Sequence, residues 1–208
     1  MKKLLLLIFA PIYCFATVSN GPYVGLEAGV ANQITVFNAN TPYNSSASNA
    51  YSPNLGFLGR LNLGYNLTKY SGFELGGTYN FGAGFNYPDG NGSMNINATT
   101  VDLSYLFYLP TSFEGVSVFA RVGGAYDWIN STSSNGCNCG SDISGNSSGG
   151  GFADVLGAGV KYNITSKTSF RVEWLANGLF FPIGINNGSI PTANWTNQTF
   201  MLGVNLHF

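Results

Sequence analysis

Residues 55–65 read Leu55-Gly56-Phe57-Leu58-Gly59-Arg60-Leu61-Asn62-Leu63-Gly64-Tyr65. Leu55, Phe57, Leu61, Leu63 and Tyr65 share one parity, and Arg60, Asn62 and Gly64 share the other. Successive side chains of a strand point to opposite faces, so the stretch predicts a strand with one apolar and one polar face. The polar face carries a single ion among small or neutral groups. A strand face that met water would be dense in Lys, Glu, Asp and Arg.

Seven further stretches repeat the pattern. Tyr23 to Ala31 sets Val24, Leu26, Ala28 and Val30 against Gly25, Glu27 and Gly29. Phe73, Leu75, Tyr79 and Phe81 oppose Glu74, Gly76, Thr78 and Asn80. Val101, Leu103, Tyr105, Phe107 and Leu109 oppose Thr100, Asp102 and Ser104. Val116, Val118, Ala120, Val122, Tyr126 and Trp128 oppose Ser117, Arg121, Gly123 and Asp127. Leu156, Ala158, Val160 and Tyr162 face away from Gly157, Gly159 and Lys161. Phe170, Val172 and Trp174 alternate with Arg171, Glu173 and Asn177, and the last segment sets Phe200, Leu202, Val204, Leu206 and Phe208 against Gly203, Asn205 and His207.

The composition of the 208 residues agrees: 45% are hydrophobic, 15% aromatic and only 8% charged, with a net charge of −1. Soluble domains carry about 25% charged residues. The balance excludes disorder driven by charge and offers no basic patch for nucleic acid. The length suits one domain. At the start, Lys2 and Lys3, the apolar run Leu4 to Ala10 and the small Ala16 read as a secretory signal peptide spanning residues 1–16. Acylation at Cys14 is disfavoured by the bulky Tyr13 before it. Residues 17–208 then form the mature domain, with six basic and nine acidic side chains. Without an apolar run long enough for a spanning helix, the exported chain is either a soluble β domain or a membrane barrel.

The connections alternate in length. Short ones fall near Asn66–Ser71, Pro110–Gly115 and Asn163–Thr168, each after a similar run: Tyr65-Asn66-Leu67-Thr68, Tyr108-Leu109-Pro110-Thr111 and Tyr162-Asn163-Ile164-Thr165. Long ones cover about 33–54, 82–99, 130–151 and 178–197. Eight strands, three short turns and four long loops predict an all-β, antiparallel up-and-down barrel with both termini on the short-turn side. A lipocalin-like barrel would also alternate, but its polar face would be rich in ions. Here that face holds four basic groups (Arg60, Arg121, Lys161, Arg171) and four acidic ones (Glu27, Glu74, Asp102, Glu173). Matched charges suit a narrow interior. Asp127 shares their parity but falls at the edge of a long loop. Tyr65, Tyr126 and Tyr162 lie toward strand ends, as interfacial aromatic belts require.

The whole mature sequence resembles the small eight-stranded outer-membrane proteins of the OmpA-like and opacity-protein group. The terminal strand Phe200-x-Leu202-x-Val204-x-Leu206-x-Phe208 resembles the signal that the bacterial barrel-assembly machinery reads. The resemblance implies a Gram-negative outer membrane, periplasmic termini, extracellular loops, and outer-membrane lipid and the assembly machinery as partners. No stretch corresponds to the peptidoglycan-binding domain of longer members, so anchoring through it is not implied.

The eight interior charges read first as a structural salt-bridge network, because an eight-stranded barrel is just wide enough for its own side chains. Glu27, Arg60, Arg121 and Glu173 fall at similar heights with Asp102 slightly above, whereas Glu74, Lys161 and Arg171 lie lower. The family resemblance adds a sharper reading, a narrow ion path gated by exchange of partners between Glu27, Arg60 and Arg121. Cys137 and Cys139 flank one residue in a Gly/Ser/Asn-rich loop, and export favours a disulfide or inert thiols over a metal site. His207, the one histidine, is expected inside the barrel at the short-turn rim, with no Ser or carboxylate in view to make it catalytic. Asn-x-Ser/Thr triplets such as Asn44-Ser45-Ser46 and Asn194-Trp195-Thr196 mark loops. No cofactor, metal site or catalytic set is expected. The expected role is a monomeric, non-enzymatic structural or interaction protein whose polar loops meet a host or surface ligand, with a narrow porin-like channel as the alternative.

Overall fold

The computed structural model describes residues 20–37, 52–86, 93–134, 145–180, 183–187 and 190–208. Eight long antiparallel strands close into a barrel: β1 (Gly21–Phe37), β3 (Gly56–Thr68), β4 (Ser71–Asn86), β5 (Ser93–Pro110), β6 (Val116–Ser134), β7 (Gly145–Asn163), β8 (Thr168–Asn177) and β10 (Ile190–His207). Two short strands extend the wall at the long-loop end: β2 (Ser52–Asn54) pairs with β4, and β9 (Ile183–Asn187) pairs with β10. Each long strand pairs with its neighbour in sequence, and β1 pairs with β10 from Tyr23↔His207 to Phe37↔Ala193. Closure leaves the long strands no free edge. No helix among the described residues is long and apolar enough to cross a membrane, which has no bearing on strands.

The alternation sets the two faces. Leu26 is 67% exposed, and Phe57 and Leu103 are 60% exposed, whereas Arg60 and Arg121 are 1% and 2% exposed. The outer face carries aromatic pairs on register partners. Phe73 meets Tyr105 at 4.9 Å and Tyr126 meets Phe152 at 5.0 Å, both edge to face. Such cross-strand pairs hold adjacent strands in register.

The short turns explain their common tetrapeptides. In each, the terminal threonine accepts backbone amides across the turn. Tyr70 N donates to Thr68 Oγ1 at 3.0 Å, Phe113 N to Thr111 Oγ1 at 3.2 Å, and Lys167 N to Thr165 Oγ1 at 3.1 Å. A hydroxyl that mimics a backbone acceptor stabilises a tight turn. Gly115 adopts φ +77°, a left-handed conformation that glycine takes without strain.

The strands run further than apolar alternation predicts. The loop expected over 82–99 narrows to the interval between Asn86 and Ser93, and that over 130–151 to the interval between Ser134 and Gly145. Hairpin ladders continue on backbone hydrogen bonds alone, so Ser, Thr, Asn and Gly extend the wall once no apolar face has to be covered. Residues 1–19, which contain the expected signal peptide, and Cys137 and Cys139 lie outside the described residues.

Candidate functional site: the barrel interior

Seven of the eight interior charges converge at mid-barrel. Arg60 on β3 forks onto Asp102 of β5, with Nη1 donating to Oδ1 at 2.5 Å and Nη2 to Oδ2 at 3.1 Å. The same guanidinium reaches Glu74 at 3.2 Å, Thr78 Oγ1 at 3.0 Å and, through Nε, Glu27 at 4.0 Å. Arg121 on β6 pairs with Glu74, with Glu173 at 2.7 Å and with Asp102 at 3.5 Å. Arg171 on β8 pairs with Glu27, with Glu74 at 2.7 Å and with Glu173 at 3.3 Å. Glu74 is therefore the hub, touching all three arginines. Tyr23 OH donates to it at 2.7 Å, Ser104 Oγ donates to Asp102 at 2.9 Å, and Asn62 Nδ2 donates to Glu27. Planar guanidinium forks serve several carboxylates at once, which lets three cations pair with four acids.

Glycines on neighbouring strands make room for these side chains. A Cβ at Gly76 would overlap the Arg60 guanidinium, and one at Gly203 would overlap the Glu27 stem. Gly64 lies opposite Tyr23, and Gly159 lies opposite Phe119, each under the aromatic ring.

The connectivity differs from that expected from height along the strands. Glu74 and Arg171, expected lower, reach into the central layer because long side chains lean along a tilted strand. Arg121 pairs with Glu74, Asp102 and Glu173, and no Arg121–Glu27 pair occurs among the described residues. Lys161 is buried inside, as its parity requires, but it makes no ion pair or hydrogen bond among the described residues. Its Nζ lies 5.6 Å from the Tyr23 ring centroid and 5.5 Å from that of Tyr108. Two aromatic faces thus stabilise the ammonium below the network. Asp127, set aside as a loop-edge residue, is fully buried in the interior and accepts a hydrogen bond from Thr100.

Apolar residues of the inner face fill the lumen above and below the ions. Leu106, Tyr108 and Phe119 form a buried cluster toward the short turns. Ala31, Leu58, Ala125, Val155, Leu175 and Met201 form another toward the long loops. Each has the inward parity of its own strand, so the alternation already places them inside. Reading that face only for its polar members passes over them. The β4–β5 wall opposite the upper cluster is polar instead: Thr78, Asn80 and Thr100 are buried there beside Asp127.

His207 Nε2 lies 3.0 Å from Ser169 Oγ, a contact invisible in sequence because the residues sit on different strands. The Nδ1 atom has no hydrogen-bond partner among the described residues, and both side chains are buried. A serine–histidine pair without an orienting acceptor or an open approach lacks what nucleophilic catalysis needs. Instead the ring packs 5.4 Å from Tyr23 and helps close the short-turn end. Among the described residues no group of three or more His, Cys, Asp or Glu is placed to hold a metal ion. The terminal residues Phe200, Leu202, Val204, Leu206 and Phe208 all face outward.

A family model described as outer membrane protein beta-barrel domain matches residues 4–208. Solved structures share the fold at low identity. Neisserial surface protein A is 17% identical with a TM-score of 0.59, over 90% of this chain and 97% of that one. The outer membrane protein OprG of Pseudomonas aeruginosa is 11% identical with a TM-score of 0.55, over 94% and 99%. A major outer membrane protein of Thermus thermophilus is 15% identical with a TM-score of 0.51, over 90% and 99%. No curated protein matches the sequence. An outward apolar wall, a sealed ionic interior and a match over nearly the whole chain agree: the chain belongs to the outer-membrane protein β-barrel domain family.

Proposed function

We propose that this protein is a rigid outer-membrane stub that displays its long loops at the cell surface for adhesion, host contact or envelope integrity. The supporting observation is the filled lumen. An aromatic floor, a layer of cross-linked ions and an apolar cluster occupy the interior and stiffen the barrel. Function then falls to the loops on the rigid scaffold. The segments 33–54, 82–99, 130–151 and 178–197, strand extensions and the loops between them together, contain no Lys, Arg or Glu, so this end meets partners through amides, hydroxyls and aromatic rings rather than through basic charge. The test is to exchange each loop in turn for a short Gly/Ser connection in cells. Folding is followed by the resistance of the barrel to detergent until it is heated. Lost binding to host cells or lost envelope integrity with a folded barrel supports the reading; four silent exchanges overturn it.

A second reading, an intermittent narrow channel, is favoured by one feature. The polar wall of Thr78, Asn80 and Thr100 runs past the apolar cluster to Arg60 and Asp102. Planar-bilayer recording of the pure protein tests it. Steps that change in Arg60→Ala or Glu27→Ala support a gate in the network, and silence at all voltages removes the channel.

A further inference from the structure

The geometry points to a site for a hard monovalent cation of the sodium or potassium type at Asp127, between the ionic layer and the long loops. The buried inner face carries four basic and five acidic side chains, one negative charge in excess. The other four acids meet arginines, whereas Asp127 pairs with no Lys or Arg among the described residues. Its Oδ1 accepts the Thr100 hydroxyl, and its Oδ2 is buried with no hydrogen-bond partner. An ionised carboxylate removed from water on those terms is costly unless a counter-ion joins it.

The described residues supply no such counter-ion. Of the six Lys and Arg residues described, Lys69 and Lys167 lie in short turns. Lys161 sits on the Tyr23 and Tyr108 rings below the network, and the three arginines make up that network. The only charged residues in the four long loops are Asp89 and Asp142, both acidic. With the described cations placed elsewhere, the counter-ion comes from solution.

Residues with oxygens of the right kind neighbour Asp127 in the strand register. Thr78, Thr100 and Asp127 are direct register neighbours across β4, β5 and β6. Asn80, two residues along β4 from Thr78, is fully buried and leaves both its Oδ1 and Nδ2 without hydrogen-bond partners. One carboxylate with neutral amide and hydroxyl oxygens is the donor set of a hard cation. A single positive charge brings the interior to neutrality, whereas a divalent ion would leave it positive. Ile96 and Ile129, on β5 and β6 beyond Thr100 and Asp127 toward the long loops, are also buried. The inference holds whichever reading of the barrel's function stands.

Crystals of the folded protein soaked in rubidium are expected to show an anomalous peak in coordination contact with Asp127 Oδ2. The peak should be absent from crystals of Asp127→Asn. In solution, replacing sodium by N-methylglucamine at constant ionic strength should speed thermal unfolding in detergent roughly tenfold, the factor for free cation at about ten times its dissociation constant. Asp127→Asn should unfold at the same rate in both salts. A wild-type map without rubidium at Asp127 overturns the site and needs no variant to fold. So does a protonated-carboxyl infrared band that disappears in Asp127→Asn, because a proton would then be the counter-ion.

Discussion

The central layer of the barrel and the two levels flanking it contain the same kinds of buried ion under opposite conditions. At the centre, three arginines and four carboxylates engage one another, and Glu74 alone bridges all three guanidinium groups. Below, Lys161 rests on two tyrosine rings without an ion pair; above, Asp127 keeps one oxygen unpartnered. Lys161 and Arg171 are direct register partners on β7 and β8, yet Arg171 joins the network and Lys161 does not. Facing inward is decided by strand parity. Becoming paired is decided by whether a side chain carries a fork that can bridge several acids. Arginine has one, and lysine is a point charge.

Removing the hub should break this contrast most severely. Glu74→Gln leaves three buried guanidinium groups short of a partner, and a buried pair broken on one side costs about 3–5 kcal/mol. Reversible urea unfolding of the barrel in lipid vesicles should show a loss of that size. A loss below about 1 kcal/mol would mean that Glu27, Asp102 and Glu173 carry the arginines without it.

The fold was legible because one rule, alternation, recurs in eight segments, and because a face with so few ions cannot meet water. The three short turns were legible as repeats, and their common threonines now have a structural role. The interior was read less fully. Leu58, Tyr108, Phe119 and Met201 share the parity of the buried ions, and attention to polar residues alone hid the layers they form. Asp127 falls where the apolar alternation fades after Trp128, whereas the β5–β6 ladder continues past it to Ser93↔Ser134. The Ser169–His207 contact and the hub position of Glu74 depend on which strands adjoin and how far side chains lean. Neither is written in the spacing of one strand.

The glycines give a second, smaller way to separate inside from outside. Gly76 faces the lumen under the Arg60 guanidinium, and Gly59 faces outward with nothing within 4 Å of an added Cβ. Gly76→Ala should displace Arg60 from its fork on Asp102 and cost about 1–3 kcal/mol, the usual penalty of overpacking. Gly59→Ala should stay within about 0.5 kcal/mol of the parent. Equal effects in urea unfolding would show that the close approach at Gly76 relaxes freely.

The smallest effect is expected at Lys161. Exchanging it for methionine removes a buried charge that has no ion pair, and it keeps a long apolar side chain against Tyr23 and Tyr108. The lost cation–π attraction, about 0.5–2 kcal/mol, opposes the desolvation penalty that also disappears. Lys161→Met should therefore unfold within about 1 kcal/mol of the parent, in contrast to Glu74→Gln. A penalty as large as that of the hub would place Lys161 among the charges that hold Glu74, acting at longer range than a salt bridge. The network would then have eight members, as many as the strand alternation puts on the inner face before Asp127 is counted.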